Sequence, residues 1–338
     1  MIRGRLLAGA IVILATLWGA QASFGEETKL VFATLNPPQA TMSTLRLHPW
    51  AEAINQRGAG IVHIDIRDGS AIANHANFYS RVLDDVVQIA FGSQSYIGGK
   101  FQRSEVVSLP FGAKSSADGS QAFWQLYASG VLDAEYDEIH PLVFFTFPQQ
   151  ALHFAKKLPS PTEVGGLKVI TSSRVAAQVM SELGASPLSI NAQDIYSALQ
   201  RGMADGVMFP WTAMEVFKLT EVTTYHVDTF LGGAPAMVFM AKKKYQALPA
   251  DVRKILDEMS GETASRKMGQ TFDREGSEDL AKLKADPRRT VMELTATQNA
   301  EWREKVRPAV DVWLRETPDG AAVLAKYNEI MAKLEPDR

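Results

Sequence analysis

Lys29 to Thr34, KLVFAT, is an apolar run of strand length, and Leu35-Asn36-Pro37-Pro38 breaks it before helix-spaced apolar residues run from Thr44 to Arg57. The same order recurs at once. After Gly58 to Gly60 comes IVHIDIRDG, in which Val62, Ile64 and Ile66 alternate with His63, Asp65 and Arg67, the period of a half-buried strand. Asn77 to Val87 reads as a helix and runs into VVQIAFGS, a further strand. A chain that alternates strand and helix in this way buries its strands in a parallel-rich sheet covered by helices. The predicted fold class is α/β.

A second cycle follows. GLKVIT reads as a strand, Ser173 to Gly184 as a helix, SPLSI as a strand, Asn191 to Gly202 as a helix and ADGVMF as a short strand. Asn191 with Asp194 three residues on marks a helix start, and Gly202 marks its stop. Arg81 to Ala90 and Ala198 to Val207 each end a helix and enter a buried strand, so two similar lobes are expected. With 338 residues, 46% hydrophobic and 22% charged, the chain is long enough for two cores. Apolar residues at helical intervals from Asp251 to Ala285, with no proline before Pro287, predict one helix. At 1.5 Å per residue it would reach ~50 Å and brace both lobes.

The first 25 residues differ from the rest. Arg3 and Arg5 precede an apolar core from Leu6 to Leu17, and Ala20-Gln21-Ala22 resembles a cleavage site, so residues 1–25 read as a signal peptide cut near Ala22 or Gly25. The apolar run is shorter than the ~20 residues of a membrane span. A periplasmic protein, not embedded in the membrane, is expected. The absence of cysteine rules out a disulfide, a thiolate metal site and a lipid-bearing cysteine. The net charge of −3, without a block of like charges, gives no electrostatic basis for binding nucleic acid.

Motifs for chemistry are missing. The six histidines form no H-x-x-H or H-E-x-x-H, so no metal site is expected. GSQSYIGGK has Gln94 where a phosphate loop needs glycine and Phe101 where it needs Ser or Thr; GAGIVH lacks the third glycine of a dinucleotide fingerprint; no G-x-S-x-G elbow exists. No enzyme, catalytic residue or cofactor is therefore expected. Ligands of α/β folds sit at the carboxyl ends of strands. The segments there hold Asn36 after the first strand, Ser93, Gln94 and Tyr96 after the third, Gln149 in FFTFPQQ, Arg174 after GLKVIT, and Met208, Phe209 and Trp211 in DGVMFPW.

Six stretches in order carry a family resemblance: HPWAEAI (48–54), DDVVQIAFGSQSYIGGKFQRSEVVSLPF (84–111), GGLKV (165–169), ELGASPL (182–188), DIYSALQRGMADGVMFPW (194–211) and KKKYQALPADVRKIL (242–256). Together they resemble the substrate-binding proteins of tripartite ATP-independent periplasmic (TRAP) transporters, of the dicarboxylate-binding, DctP-like family. The resemblance implies a two-lobed periplasmic-binding-protein fold with hinge strands and one long helix spanning both lobes. Lobe I would take 26–148 plus about 240–270, and lobe II 149–239 plus about 271–335, with the 251–285 helix shared. The implied function is capture of a small organic solute, an organic acid in this family, by closure of the cleft and delivery to the TRAP membrane permease subunits, the protein acting as a monomer. A periplasmic ligand sensor for a receptor kinase would share this fold.

The resemblance also implies one arginine, on the strand after the GLK turn, that clamps the ligand carboxylate through two hydrogen bonds. Here that position is Ile170, and Ala241 stands where the family tends to place a supporting asparagine. Three readings stay open. Arg174 reaches back to the same pocket, helped by Thr171, Ser172, Ser173 and the free amides of the helix start. Alternatively the solute is neutral or aromatic, and Ile170, Met208, Phe209 and Trp211 form a wall for it. In the third reading the pocket has decayed, or the protein acts through contact with a partner.

Overall fold

The structure is a computed structural model that describes residues 26–336, so the signal segment expected at 1–25 lies outside the described residues. The chain enters through β1 (Thr28–Ala33), whose Leu30 and Phe32 are buried on one face. A single π-helical turn (Ser43–Leu47) leads into α1 (His48–Arg57), followed by β2 (Val62–Arg67), α2 (Phe78–Leu83) and β3 (Ile89–Ser93). β2 and β3 flank β1 in parallel. Val62 and Ile64 are buried while His63 and Arg67 face solvent, as the alternation predicts. α2 is shorter than the expected 77–87 because the chain turns after Leu83, with Asp85 at a φ of +56°.

α3 (Ser116–Ala128) and β4 (Ile139–Thr146) follow, and the chain then crosses to β5 (Gln150–Phe154). The second cycle comprises β6 (Lys168–Thr171), α4 (Arg174–Glu182), β7 (Ser186–Ser189), α5 (Ile195–Gln200), β8 (Gly206–Pro210) and α6 (Ala213–Val216). Ser173 caps α4, its hydroxyl oxygen accepting the Ala176 N–H at 3.1 Å. β9 (Tyr225–Asp228) then leads back to β10 (Pro235–Ala241). The remainder is α7 (Lys242–Ala247), α8 (Ala250–Glu258), α9 (Gly261–Ala285), β11 (Thr290–Glu293), α10 (Ala296–Glu316) and α11 (Gly320–Leu334).

Two sheets result, in the orders β2-β1-β3-β10-β4 and β11-β9-β5-β8-β6-β7. β4 and β10 are antiparallel neighbours in the first sheet, and β5 and β9 are antiparallel neighbours in the second. β4 continues into β5 through 147–149, and β9 into β10 through 229–234. The two crossings therefore form one antiparallel ribbon that runs through both lobes. By this pairing the whole of 235–241 belongs to the first sheet, although residues up to 239 were expected in the second lobe. α11 packs on α3 of the first lobe rather than within the second, and α10 packs on α4.

The helix expected over 251–285 is two helices. α8 ends at Glu258, and Gly261, with a φ of +79°, turns the chain before α9 begins a new direction. A right-handed helix cannot run through a positive φ, and glycine makes that conformation accessible. The Trp50 indole N–H donates to the Met259 carbonyl at 2.9 Å and pins the break to α1. α9 alone is the brace, ~38 Å long. Its Asp273 accepts the Ser116 and Ala117 N–H groups at 2.7 and 2.9 Å and so caps α3, while Leu280 and Leu283 join the core of the second lobe.

Candidate ligand-binding cleft

The register of the ribbon fixes where the strand ends meet. β3 and β4 end at Ser93 and Thr146, opposite Ala236 and Pro235, while β5 begins at Gln150 opposite Pro210, the last residue of β8. Between these rows Phe147 N–H donates to the Ala234 carbonyl at 2.9 Å and Gln150 N–H to the Gly232 carbonyl at 3.1 Å. α9 lies against the same junction: Phe272 meets the Phe147 ring at 5.4 Å, and a Cβ on Gly276 would sit 3.7 Å from Thr212, just past β8. The carboxyl ends of the strands in both lobes thus open on one cleft, bounded by the ribbon and by α9.

On the first lobe the strand ends are tied by charge. Asp68, just past β2, accepts from Thr34 Oγ1 at 2.7 Å, from Ser43 Oγ at 3.3 Å and from His48 Nε2 at 3.0 Å. Burial opposes ionisation of Asp68, but these hydrogen bonds outweigh it and hold the carboxyl below its ordinary value. Asn36 closes the loop beside it, donating to the Thr34 carbonyl and accepting the Gly69 N–H, both at 2.7 Å. In the π-helical turn Arg46, its side chain 1% exposed, pairs with Glu275 of α9 and stacks 3.6 Å over the Phe272 ring. Burial lowers its pKa, and the Glu275 charge works against that shift.

Of the other residues that the sequence points to on this lobe, Ser93 donates to the Pro235 carbonyl at 3.3 Å. The Gln94 amide is drawn into the lobe for a definite reason, and its Oε1 is buried there without a partner. Glu135 accepts the Ser104 hydroxyl at 2.7 Å, which commits that proton; Tyr136 must then donate to Ser104 Oγ and accept from Gln94 Nε2, each at 2.7 Å. The relay draws the Gln94 amide back along the sheet against Met237 Sδ, whose register partner on β3 is Gly92. Tyr96 remains 53% exposed, with its ring 5.1 Å from that of His75.

Gln149 belongs to the ribbon: its Oε1 accepts the Gly232 N–H at 2.9 Å. Gly232 has a φ of +97°, and a Cβ there would meet the Ser108 carbonyl at 2.1 Å, so no other residue passes this point unchanged. Ile170 is 1% exposed and packs with Val207, Leu199 and Trp211. A core contact fills the place where the resemblance implies an arginine. Met208 does not join the expected wall, because alternation along β8 sends it to the opposite face, against the cluster of Val169 and Val227, while Val207 and Phe209 share the face of Ile170.

Arg174 is half-exposed and is held by two carboxylates, Glu316 of α10 and Glu105 at 3.2 Å. Burial pushes the Glu105 carboxyl up, and the Arg174 charge only partly reverses this. Arg174 therefore fastens the start of α4 to the loop before α3 and to α10. Trp211 is buried, and its indole N–H donates to Asp228 Oδ1 at 2.9 Å. Beneath it lie two fully buried histidines, His153 on β5 and His226 on β9, with Nδ1 atoms 2.9 Å apart.

The sequence reading missed these histidines, and with them Arg46, His75 and Gln150, whose Oε1 is buried without a partner at the ribbon crossing. A local signal existed only for Gln150, the residue next to Gln149 in FFTFPQQ.

Residues 32–316 match the family described as "Bacterial extracellular solute-binding protein, family 7". The chain belongs to this family. The C4-dicarboxylate-binding periplasmic protein DctP of Rhodobacter capsulatus is 32% identical over 155 residues, 46% of each chain. The protein named outer membrane transporter protein TsaT, of Comamonas testosteroni, is 26% identical over 279 residues, 81% of each chain. A TRAP solute-binding protein of Rhodoferax ferrireducens, solved with copurified benzoate, superposes with a TM-score of 0.83 at 25% identity, covering 90% of this chain and 98% of that one. A marine metagenome TRAP solute-binding protein specific for aromatic acid ligands, solved as a surface mutant with metahydroxyphenylacetate, gives 0.84 at 25% identity, covering 91% and 100%. This family 7 chain is a TRAP-type substrate-binding protein with the two-lobed fold of these neighbours. Its family binds solutes for transport and is not a family of enzymes. Among the described residues no helix is long and apolar enough to cross a membrane.

Proposed function

We propose that this family 7 protein captures a small organic acid with an aromatic or similarly flat apolar body, and passes it to the membrane permease of a TRAP transporter. The observation that carries the reading is the apolar surface left open in the segments that border the cleft. Tyr96 after β3, Ile72 after β2 and Phe230 in the ribbon are 53%, 37% and 40% exposed, and Phe209 at the end of β8 is half-buried. Large apolar side chains held in the open around a cleft fit a ligand that covers them on closure. The two neighbours at 25% identity, with benzoate and metahydroxyphenylacetate, support the same class.

With Ile170 in the core and Arg174 paired, hydroxyl and main-chain donors at the start of α4, around Ser172, receive the carboxylate. Closure bends the ribbon at 147–149 and 229–234, where we place the boundaries between lobes; α9 passes between them near 270. Residues 1–25 direct export to the periplasm and are removed near Ala22 or Gly25, leaving a monomer. A thermal-shift screen tests the ligand class, because a ligand at 100 times its Kd adds roughly 2.7 kcal/mol. Benzoate and mandelate are expected to raise Tm, and succinate or benzyl alcohol to leave it unchanged. Stabilisation by succinate alone would overturn the reading. Uptake into vesicles bearing a TRAP permease, driven by an ion gradient and dependent on the loaded protein, tests delivery.

A further inference from the structure

The two buried histidines can be assigned their protons from geometry. His153 Nε2 lies 3.0 Å from the Phe209 carbonyl oxygen, and a carbonyl only accepts, so this nitrogen carries a proton. In the neutral ring Nδ1 is then bare and accepts from His226 Nδ1–H at 2.9 Å, which leaves His226 Nε2 as a buried acceptor without a partner. The order is His226 N–H to His153, and His153 N–H to Phe209. These bonds run across β9, β5 and β8, over three adjacent strands. Trp211 closes the circuit. Its ring stands edge-on to His153 at 4.8 Å, and its indole N–H returns to Asp228, two residues beyond His226 on β9.

The circuit has no role in holding the sheet that the strand pairing does not already fill, since β5 is bonded to both β8 and β9 by main-chain ladders. The pairing with β5 runs to Pro210, with Phe209 opposite Ala151, so what the circuit adds lies at this end and just past it: a side-chain donor on the Phe209 carbonyl and a fixed place for the Trp211 ring. Phe209 through Thr212 leads from this end of β8 to the cleft, and Thr212 lies against α9, where a Cβ on Gly276 would sit 3.7 Å from it. We propose that His153 and His226 are positioning residues for ligand binding: the neutral pair fixes the Phe209 carbonyl and the Trp211 ring, and so presents the Phe209 side chain as a preformed wall for the flat body of the ligand. This rests on the reading that the cleft takes an aromatic acid. A wall set in advance costs no ordering when the ligand arrives, and affinity gains accordingly.

Two variants test this in the full protein. His153→Leu removes the donor to Phe209 and the acceptor for His226, while His153→Gln keeps a donor at the Nε2 position. Hydrogen exchange at the amides of Phe209, Trp211 and Thr212 reads the positioning without any ligand, Pro210 between them having no amide hydrogen. It is expected to rise at least tenfold in His153→Leu, to stay near the wild-type rate in His153→Gln, and to stay unchanged at β6 and β7 in both. Titration calorimetry with benzoate on folded protein is expected to show at least tenfold weaker binding for His153→Leu, with recovery in His153→Gln. Unchanged exchange at Phe209, Trp211 and Thr212 in His153→Leu would overturn the proposal, as would benzoate affinity that stays at the wild-type value. If the wild type fails to bind benzoate, the aromatic-acid reading falls and the exchange result alone decides the positioning.

Discussion

The two lobes finish their strands at the cleft by opposite electrostatic means. On the first lobe the ends are tied by charged groups, the Asp68 carboxylate hydrogen-bonded to His48, Thr34 and Ser43, and Arg46 paired with Glu275. On the second the facing core is uncharged at its centre, with Ile170, Val207 and Trp211 around a pair of neutral histidines. An ion pair holds its geometry only while both partners stay charged and matched, whereas a neutral relay holds only while no charge is added. The difference makes the first lobe sensitive to losing a charge and the second sensitive to gaining one.

Ile170→Arg puts this to its most severe test, because it drives a guanidinium into the neutral core of the second lobe. A loss of about 5 kcal/mol, enough to unfold most of the protein, is expected in urea denaturation. A stable variant with gained affinity for carboxylates would show instead that residue 170 opens to the cleft. Arg46→Ala is the counterpart on the first lobe. It strands Glu275 and removes the stack on Phe272, at an expected cost of about 3–4 kcal/mol, and Arg46→Met with Glu275→Met is expected to cost less than the single change.

Acid adds charge to the second lobe without mutation. His226 is held to about 4 by burial, with the Arg289 charge a smaller cause, against an ordinary value near 6.5. The unfolded chain therefore takes up the proton first as pH falls. The stabilisation is complete above about pH 6.5 and is lost progressively toward pH 4, by roughly 3 kcal/mol for this residue. His140 of the first lobe, stacked on Tyr245 at 3.5 Å and also held to about 4 by burial, adds to the slope. Urea titrations at pH 7 and 4.5 on wild type and His226→Gln separate the two, and an equal slope in both proteins would remove His226 from the account. The smallest effect belongs to Arg174→Ala. Its ion pairs are half-exposed, so less than about 1 kcal/mol is expected, with benzoate binding unchanged.

What the sequence made legible was whatever has a local period. The alternation in β2, the Ser173 cap of α4 and the apolar runs of β1, β3 and β8 are all contained within a few residues, and each element appears where its pattern places it, within a few residues at its ends. The expected single brace failed at Ser260-Gly261, where a two-residue turn signal sat inside a convincing helical pattern. The cleft was harder to read. His153 and His226 are 73 residues apart, and Arg46 and Glu275 are 229 apart, so nothing in either neighbourhood announces the partner. Gln94 sat in a segment rightly placed at the strand end, yet its direction is decided by Glu135, a residue of another element.

The crossing ribbon has a mechanical consequence. Two separate linkers would let the lobes twist, slide and splay independently, whereas two strands bonded to each other through the crossing, with α9 alongside, favour bending over sliding. The closure proposed for the cleft is then expected to follow one main coordinate, and a single pair of spectroscopic labels, on α3 and α5, would track it.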